Sequence, residues 1–334
     1  MIKSQDHCII LSKEKVKPRN PYKTQKIPES MAKAPGKIIL FGEHFVVHGS
    51  YAISAAIDRF SEVKVETNKK QLSETKKISV TYNNETVRTE SKLCMGVKNI
   101  LNYLKLNENL NITINSTIKG SGLGSSAAFC VAFAKELNEK FDLKLENPDI
   151  NIAAYEGEKA FHGNPSGVDN TTSLYEGILL FNKDIKTQLL DHSTIEVKEK
   201  IKLILVNTGK KTNTIKIVEE VKKIKELDQE KFKHYIAEIN HLVDDAKDAI
   251  LNHDLPYIGQ LMLFNQALLE KIGVSTPEIR TIITTGINNG ALGGKITGAG
   301  GGGNVILLYD DEKNKEKIIN ELNNKGYESF SIEI

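Results

Sequence analysis

The chain has 334 residues, of which 40% are hydrophobic, 26% charged and 6% aromatic, and it contains no Trp. These values are typical of a globular protein long enough for two domains. The formal net charge is only +2, which gives no electrostatic case for nucleic acid or a membrane surface. No stretch approaches the roughly 18 apolar residues that a transmembrane helix needs.

The first thirty residues differ from the rest of the chain. Residues 1–30 are polar and basic, contain Pro18, Pro21 and Pro28, and show no sustained hydrophobic periodicity. This composition predicts a disordered basic arm. Organised sequence begins at Met31, which is therefore a candidate for the true start of translation.

Cysteine usage and the amino terminus bear on the compartment. Cys8, Cys94 and Cys130 are scattered and form no CxxC pair. This pattern argues against a disulfide framework and against a zinc site, and it fits a reducing environment. The apolar run near the start is too short for a signal peptide. We therefore expect a cytoplasmic protein.

In chain order, the first half of the organised sequence predicts short strands mixed with helices. Runs or alternations of apolar and β-branched residues predict strands at 38–41, 63–65, 78–80, 111–118 and 178–181. Apolar residues at helical spacing predict helices at 91–104, 127–140 and 148–161.

The second half is richer in helical patterns. Strands are predicted at 201–206, 304–309 and 329–334, and helices at 212–227, 229–252, 256–272, 277–288 and 312–324. Strands and helices are mixed without a regular βαβ repeat, which favours an α+β class in two lobes. We place the lobes at 31–198 and 199–334.

A glycine-rich loop lies between a predicted strand and an alanine-rich helix. Its residues are Gly120, Ser121, Gly122, Leu123, Gly124, Ser125 and Ser126. Alternate glycines let backbone N–H groups face a ligand without obstruction by Cβ, and the following helix adds its positive end. The loop therefore predicts a phosphate cradle, in which the serine hydroxyls can reach a phosphate or its magnesium. A tight turn with a serine cap is the alternative. The loop is not a Walker A motif, because GxxxxGK[ST] is absent from the chain.

A second glycine run extends from Thr297 to Gly303 and formally contains GxGxxG. A dinucleotide fold needs a helix after this motif, whereas a strand is predicted here, so that interpretation is disfavoured. Consecutive glycines lose much entropy on ordering. Close approach of the backbone to a ligand therefore explains the run better than a flexible hairpin.

Acidic and basic residues close to these loops suggest phosphoryl transfer. Glu158 flanks the apolar stripe of its helix, and the turn-rich loop 162–170 delivers Asp169 eleven residues later. One carboxylate for Mg²⁺ and one for an acceptor hydroxyl are what phosphoryl transfer needs. A surface position for Glu158 and loop capping by Asp169 are the alternatives. Lys37 and the pair Glu43-His44 flank a predicted strand, which on its own also fits an ordinary surface.

Together, these stretches resemble the superfamily of galactokinase, homoserine kinase, mevalonate kinase and phosphomevalonate kinase, the GHMP kinases. The three signature motifs occur in the expected order, and the resemblance covers about 31–334. It is greatest to mevalonate kinases of the archaeal kind, in APGKIILFGEHFVVHGSYAI (34–53) and GEKAFHGNPSGVDN (157–170). Galactokinases differ after Gly-Glu-His, and homoserine kinases lack the Glu-His pair.

The resemblance implies a role for each matching residue. Ser126, helped by Ser125, and Glu158 would hold Mg²⁺, and Asp169 would take the proton of the acceptor hydroxyl. Lys37 would lie beside Asp169 and the γ-phosphate and neutralise developing charge. The glycine loop would bind ATP. Residues expected on the substrate side are Glu43, His44, Thr214, Gly298, Ala299 and Gly300.

The resemblance also implies a fold and a substrate. The fold would be an N-terminal lobe of the ribosomal-protein-S5 type and a C-terminal ferredoxin-like lobe, with ATP between them. The acceptor would be mevalonate. A homodimer is one oligomeric state that the resemblance allows. One departure stands out, because Ile118 occupies the place of the proline that usually opens the glycine loop. Its absence removes no ligand group but is expected to loosen ATP binding.

Other functions remain open beside this one. Another GHMP kinase, acting on phosphomevalonate or a sugar, would share the fold, but a phosphorylated acceptor needs a basic cluster that the sequence does not show. The related mevalonate diphosphate decarboxylase is disfavoured by the loop at 162–170 with Glu158 upstream. An inactive binding protein is disfavoured by the intact set Lys37, Ser126, Glu158 and Asp169.

A chain that begins at Met31 is expected to fold and to keep full activity, because no motif lies before that residue. Thermal unfolding and phosphoryl-transfer assays on the shortened chain check this. Loss of activity would show that residues 1–30 contribute to the enzyme.

Overall fold

The computed structural model describes residues 31–67, 78–120, 122–183, 190–211 and 213–334. The predicted arm at 1–30 lies outside the described residues, as do Ser121 and Thr212. No helix in the described ranges is long and apolar enough to cross a membrane.

Among the described residues, seven strands form the first sheet. They are β1 (Ala32–Phe41), β2 (Tyr51–Thr67), β3 (Ile78–Tyr82), β4 (Glu85–Thr86), β5 (Leu110–Ser116), β6 (Ile178–Lys183) and β7 (Leu190–Ile195). The long strand β2 organises the sheet, since it pairs with β1 over most of its length, with β6 at its start and with β5 at its end. Only the β3–β5 pair is parallel in this sheet as described.

Helices cover the first sheet and pack against one another. They are α1 (Lys92–Tyr103), α2 (Ser125–Phe141), α3 (Asn147–His162) and α4 (Val168–Tyr175). Helix α2 lies at the centre and contacts β1, β2 and the other three helices. Its residues 127–134 are all buried, because they are apolar all round the helix and the sheet and three other helices surround them.

The second sheet is antiparallel throughout its described strands. Its strands are β8 (Lys202–Asn207), β9 (Gly293–Thr297), β10 (Asn304–Leu308) and β11 (Ser329–Glu333), in the order β11-β8-β10-β9. Five helices belong to this half: α5 (Thr214–Leu227), α6 (Gln229–Leu251), α7 (Leu255–Lys271), α8 (Pro277–Asn288) and α9 (Glu312–Asn324). The α+β class is therefore confirmed.

The two sheets share one hydrophobic core. Ile38 and Ile53 of the first sheet belong to the same buried cluster as Leu205 and Ile306 of the second. Residues 31–334 accordingly form one compact unit. The division into lobes at 198 and 199 stays a prediction.

Helix α4 and strand β9 differ from the sequence prediction. Loop 162–170 was expected to carry Asp169, but this residue lies in the first turn of α4, so the loop prediction is wrong at its end. Strand β9 was not predicted, because glycines weaken a strand pattern. They are required here, since a Cβ on Gly293 would lie 2.2 Å from the carbonyl oxygen of Gly259 in α7.

Polar contacts connect the end of β1 to β9 and α7. The N–H of Ile39 donates to Oγ1 of Thr297 over 2.9 Å, and the N–H of Gly42 donates to Oδ1 of Asn265 over 3.2 Å. Both N–H groups would otherwise need a partner inside the protein. We call this set of contacts, together with the ion pair described next, the β1–β9 seam.

A buried ion pair is the centre of the seam. Lys295 of β9 is fully buried and donates to Oε1 of Glu43 and to the carbonyl oxygen of Ile296. Burial raises the pKa of Glu43 and lowers the pKa of Lys295, while the attraction between the two groups opposes both shifts. Each charge is therefore tolerated here only because the other is present.

Removal of one partner is expected to destabilise the fold strongly. The variant Lys295→Met leaves Glu43 buried without a countercharge, which costs about 3–5 kcal/mol of the free energy of unfolding. The double variant Lys295→Met, Glu43→Gln should recover much of this loss, because no charge is then buried. Urea unfolding measures both.

Lys233→Met serves as the control, because Lys233 pairs with Glu230 on the surface and its loss should have no measurable effect. A double variant no more stable than Lys295→Met would contradict the assignment of the loss to an unpaired charge.

Candidate active site

The three glycines of the loop adopt backbone conformations that other residues rarely adopt. The φ angles of Gly120, Gly122 and Gly124 are +97°, +87° and +69°. A Cβ on Gly124 would lie 2.9 Å from Cγ of Lys37, and one on Gly122 would lie 3.3 Å from the carbonyl oxygen of Thr297. Glycine is therefore needed here for conformation and for space.

Helix α2 begins at Ser125, so the last two loop residues form its first turn, and its positive end faces the site. Its N-cap residue is Gly124, and no side chain caps the helix. The serine-capped turn is therefore excluded, and the hydroxyls of Ser125 and Ser126 are not used for capping. Leu123 is buried and accepts a hydrogen bond from the N–H of Lys37 through its carbonyl oxygen, over 2.9 Å. Leu123 thus anchors the loop to β1.

A bulge in β1 determines the position of Lys37. The register between β1 and β2 shifts between Pro35 and Lys37, and such bulges redirect side chains. The Nζ atom of Lys37 lies 3.2 Å from the carbonyl oxygen of Gly122 and 3.1 Å from Oδ1 of Asp169. Lys37 is 2% exposed. It therefore connects the glycine loop to the carboxylate across the site.

Asp169 lies at the positive end of α4, where a carboxylate is favoured. The N-cap of α4 is Gly167, with φ of +87°, and no side chain caps the helix. Capping by Asp169 is therefore not its role in the structure. The side chain is 28% exposed, so it faces both Lys37 and the open site.

Glu158 is buried, which excludes the alternative of a surface carboxylate. Burial raises the pKa of Glu158 to about 8, and the negative charge of Asp169 adds to the effect, while Ser126 opposes it through a hydrogen bond. A divalent cation at this place would compensate the buried charge.

The chemistry of these donors fits Mg²⁺. Within the described ranges, no group of three or more His, Cys, Asp or Glu residues could hold a metal ion. Mg²⁺ usually binds through one or two carboxylates together with phosphate oxygens of the substrate. Glu158 and Ser126 beside a phosphate cradle match that arrangement.

His162 belongs to the same cluster and was not predicted. Its Nε2 lies 3.4 Å from Oγ of Ser126 and 3.7 Å from Oε2 of Glu158. The available signal in the sequence was its spacing, since residues four apart share one face of a helix.

The residues expected on the substrate side are only partly brought together. A small cavity is lined by Gly122, Thr214, Thr297, Ala299, Gly300, Gly302 and Gly303. His44 is half-buried, and its Nε2–H donates to the carbonyl oxygen of Ala299 over 2.8 Å. Glu43 is buried in its pair with Lys295 and does not line this cavity.

The second glycine run packs against protein backbone. A Cβ on Gly298 would lie 3.3 Å from Cα of Gly122, and one on Gly300 would lie 2.4 Å from the carbonyl oxygen of Val274. The N–H of Gly301 donates to the same Val274 oxygen over 2.8 Å. The flexible hairpin is thus disfavoured. Internal packing explains part of the need for glycine in this run, which was expected to come from the close approach of a ligand.

Comparison with known proteins agrees with this geometry. Residues 92–177 match the family described as GHMP kinases N terminal domain, and residues 246–328 match GHMP kinases C terminal. The mevalonate kinase of Methanocaldococcus jannaschii is 34% identical, over 89% of this chain and 97% of the relative. The mevalonate kinase of Arabidopsis thaliana is 30% identical, over 91% of this chain and 97% of the relative.

Solved structures give the same result. L. major mevalonate kinase in complex with R-mevalonate has a TM-score of 0.82 and 31% identity, over 91% of this chain and 95% of that one. Galactokinase of Lactococcus lactis, at 20% identity and a TM-score of 0.72, shows the fold alone. The chain therefore belongs to the GHMP kinases, an ATP-dependent family, in the branch that holds the mevalonate kinases.

Proposed function

We propose that this enzyme transfers the γ-phosphoryl group of ATP to the primary hydroxyl of (R)-mevalonate, in isoprenoid biosynthesis. The observation that carries the proposal is the contact of Lys37 with both Gly122 and Asp169. It joins a phosphate loop to a carboxylate that faces the open site. The relatives named as mevalonate kinases, including one solved with R-mevalonate, support the acceptor.

Each charged group has a distinct task in this reaction. The partly exposed carboxylate of Asp169 accepts the proton of the acceptor hydroxyl. The ammonium group of Lys37 stabilises negative charge that develops between the acceptor and the phosphate. Because the Lys37 side chain is buried, this interaction is weakly screened by water.

Glu158 and Ser126 would hold Mg²⁺ at the start of α2. The ion would neutralise charge on the phosphate oxygens of ATP. The backbone N–H groups of the glycine loop and the positive end of α2 support the same phosphates. Ser121, also assigned to ATP binding, lies outside the described residues.

Among the described residues, the small cavity beside Gly122 offers no cation to a phosphorylated acceptor. Every residue that lines it in the described structure is uncharged. A phosphomevalonate or a diphosphate acceptor needs additional cations. Glu43, His44, Thr214, Gly298, Ala299 and Gly300 stay assigned to the substrate side, with Glu43 acting from its buried position. A cytoplasmic location and a homodimer are further proposals, which fractionation and light scattering would check.

The variant Asp169→Asn is expected to lower kcat by about 10²–10⁴-fold or more, because the amide cannot accept the hydroxyl proton. Affinity for a non-hydrolysable ATP analogue should change little, since the glycine loop is untouched. Steady-state kinetics and calorimetry measure the two effects. The exposed residue Asp142 supplies the matched control, Asp142→Asn. Near-normal kcat in Asp169→Asn would refute the assigned base.

Acceptor profiling tests the substrate independently. With ATP and Mg²⁺ present, ADP release is expected with mevalonate and not with phosphomevalonate, homoserine or galactose, because the relatives that this chain matches over most of its length are mevalonate kinases. A coupled ADP assay measures this. Preference for another acceptor would reassign the enzyme within its family, and CO₂ release from mevalonate diphosphate would indicate the decarboxylase.

A further inference from the structure

The imidazole of His162 lies where two helix ends meet. It occupies the last turn of α3, one turn after Glu158, and it faces Ser126 in the first turn of α2. Its side chain is 39% exposed, while that of Glu158 is 1% exposed. His162 thus stands at the open edge of the cluster, with the buried carboxylate behind it.

The Ser126 hydroxyl needs a hydrogen-bond acceptor when it binds a metal, and His162 lies where it can provide one. The Ser126 hydroxyl hydrogen-bonds to Glu158. Once a cation binds the oxygens of both residues, the hydroxyl uses a lone pair for the metal, so its proton must be donated to another acceptor. The Nε2 atom of His162, 3.4 Å away, is an acceptor in the tautomer that carries its proton on Nδ1. Such contacts are often long in ligand-free sites and shorten when the ligand binds.

Imidazole itself is a poor candidate for a magnesium ligand. Mg²⁺ prefers oxygen donors, and imidazole suits softer ions such as Zn²⁺. His162 therefore acts through the oxygen atoms of its neighbours. We propose that His162 is a positioning residue for nucleotide-bound Mg²⁺, which orients the Ser126 hydroxyl by accepting its hydrogen bond. This inference rests on the proposed function for the assignment of Ser126 and Glu158 to the metal.

A structural role at the helix end is the competing explanation. Basic residues in the last turn of a helix interact favourably with its negative end, and the last turn of α3 contains Lys159 as well as His162. Lys159 ion-pairs with Glu156 on the surface and makes no described contact with Ser126 or Glu158. Lys159→Ala is therefore the matched control for an effect of helix-end charge.

The test uses the full chain with Mn²⁺ as the metal probe and a non-hydrolysable ATP analogue. His162→Ala should weaken Mn²⁺ binding to the enzyme–nucleotide complex by about 10–100-fold, the usual effect of losing a group that orients metal ligands. Electron paramagnetic resonance measures free Mn²⁺, and calorimetry measures nucleotide affinity without metal, which should not change.

Two further variants separate positioning from packing. His162→Gln can place its amide oxygen near the position of Nε2 and should keep most of the Mn²⁺ affinity. His162→Asn places its amide near the position of Nδ1 and should behave like His162→Ala. Added imidazole should partly restore Mn²⁺ binding to His162→Ala, since the site is open to solvent at that edge. Thermal unfolding identifies variants that fail to fold.

Wild-type Mn²⁺ affinity in His162→Ala would overturn the proposal, and so would an equal loss in Lys159→Ala. If Glu158→Gln also kept full Mn²⁺ affinity, the metal assignment within the proposed function would fall with it. If Mn²⁺ binding depended on His162 but mevalonate were not phosphorylated, the inference would stand and the proposed acceptor alone would fail.

Discussion

A buried ammonium group must be surrounded by oxygen atoms, and this requirement at Lys37 governs how the site is assembled. The bulge in β1 directs Lys37 away from the sheet, and its Nζ finds the Gly122 carbonyl oxygen and the Asp169 carboxylate. Strand, glycine loop and helix α4 are thereby held at one point. The arrangement of the candidate site is thus a consequence of satisfying a charge that the fold has taken out of water.

The same principle acts a second time, between the two sheets. Lys295 and Glu43 are both fully buried, and each compensates the other at the end of β1. The residue after Glu43 is His44, which donates to Ala299 at the edge of the small cavity beside Gly122. The seam therefore fixes the position of the second sheet relative to the site, although neither charged group of the pair lines the cavity.

Helix prediction succeeded where the pattern was local. The spacing of apolar residues in α6 and α8 follows the helical period, so their limits were predicted within one or two residues. Strand β9 was missed because its glycines serve a contact with α7 that is distant in sequence. The burial of Glu158 and the partner of Glu43 also depend on tertiary packing, and periodicity carries no information about either. Motif residues such as Asp169 could be proposed from the sequence because their chemistry is distinctive.

The contact between Gly122 and Gly298 also limits how the sequence can vary. A Cβ on Gly298 would lie 3.3 Å from Cα of Gly122, and one on Gly122 would lie 3.3 Å from the carbonyl oxygen of Thr297, so a side chain at either position would crowd the facing glycine run. The two positions, 176 residues apart, therefore behave as one unit under selection. In a set of related sequences that keep this site, we expect glycine to be retained or lost at both positions together. The pair would then indicate, from sequence alone, whether the two glycine runs are still in contact.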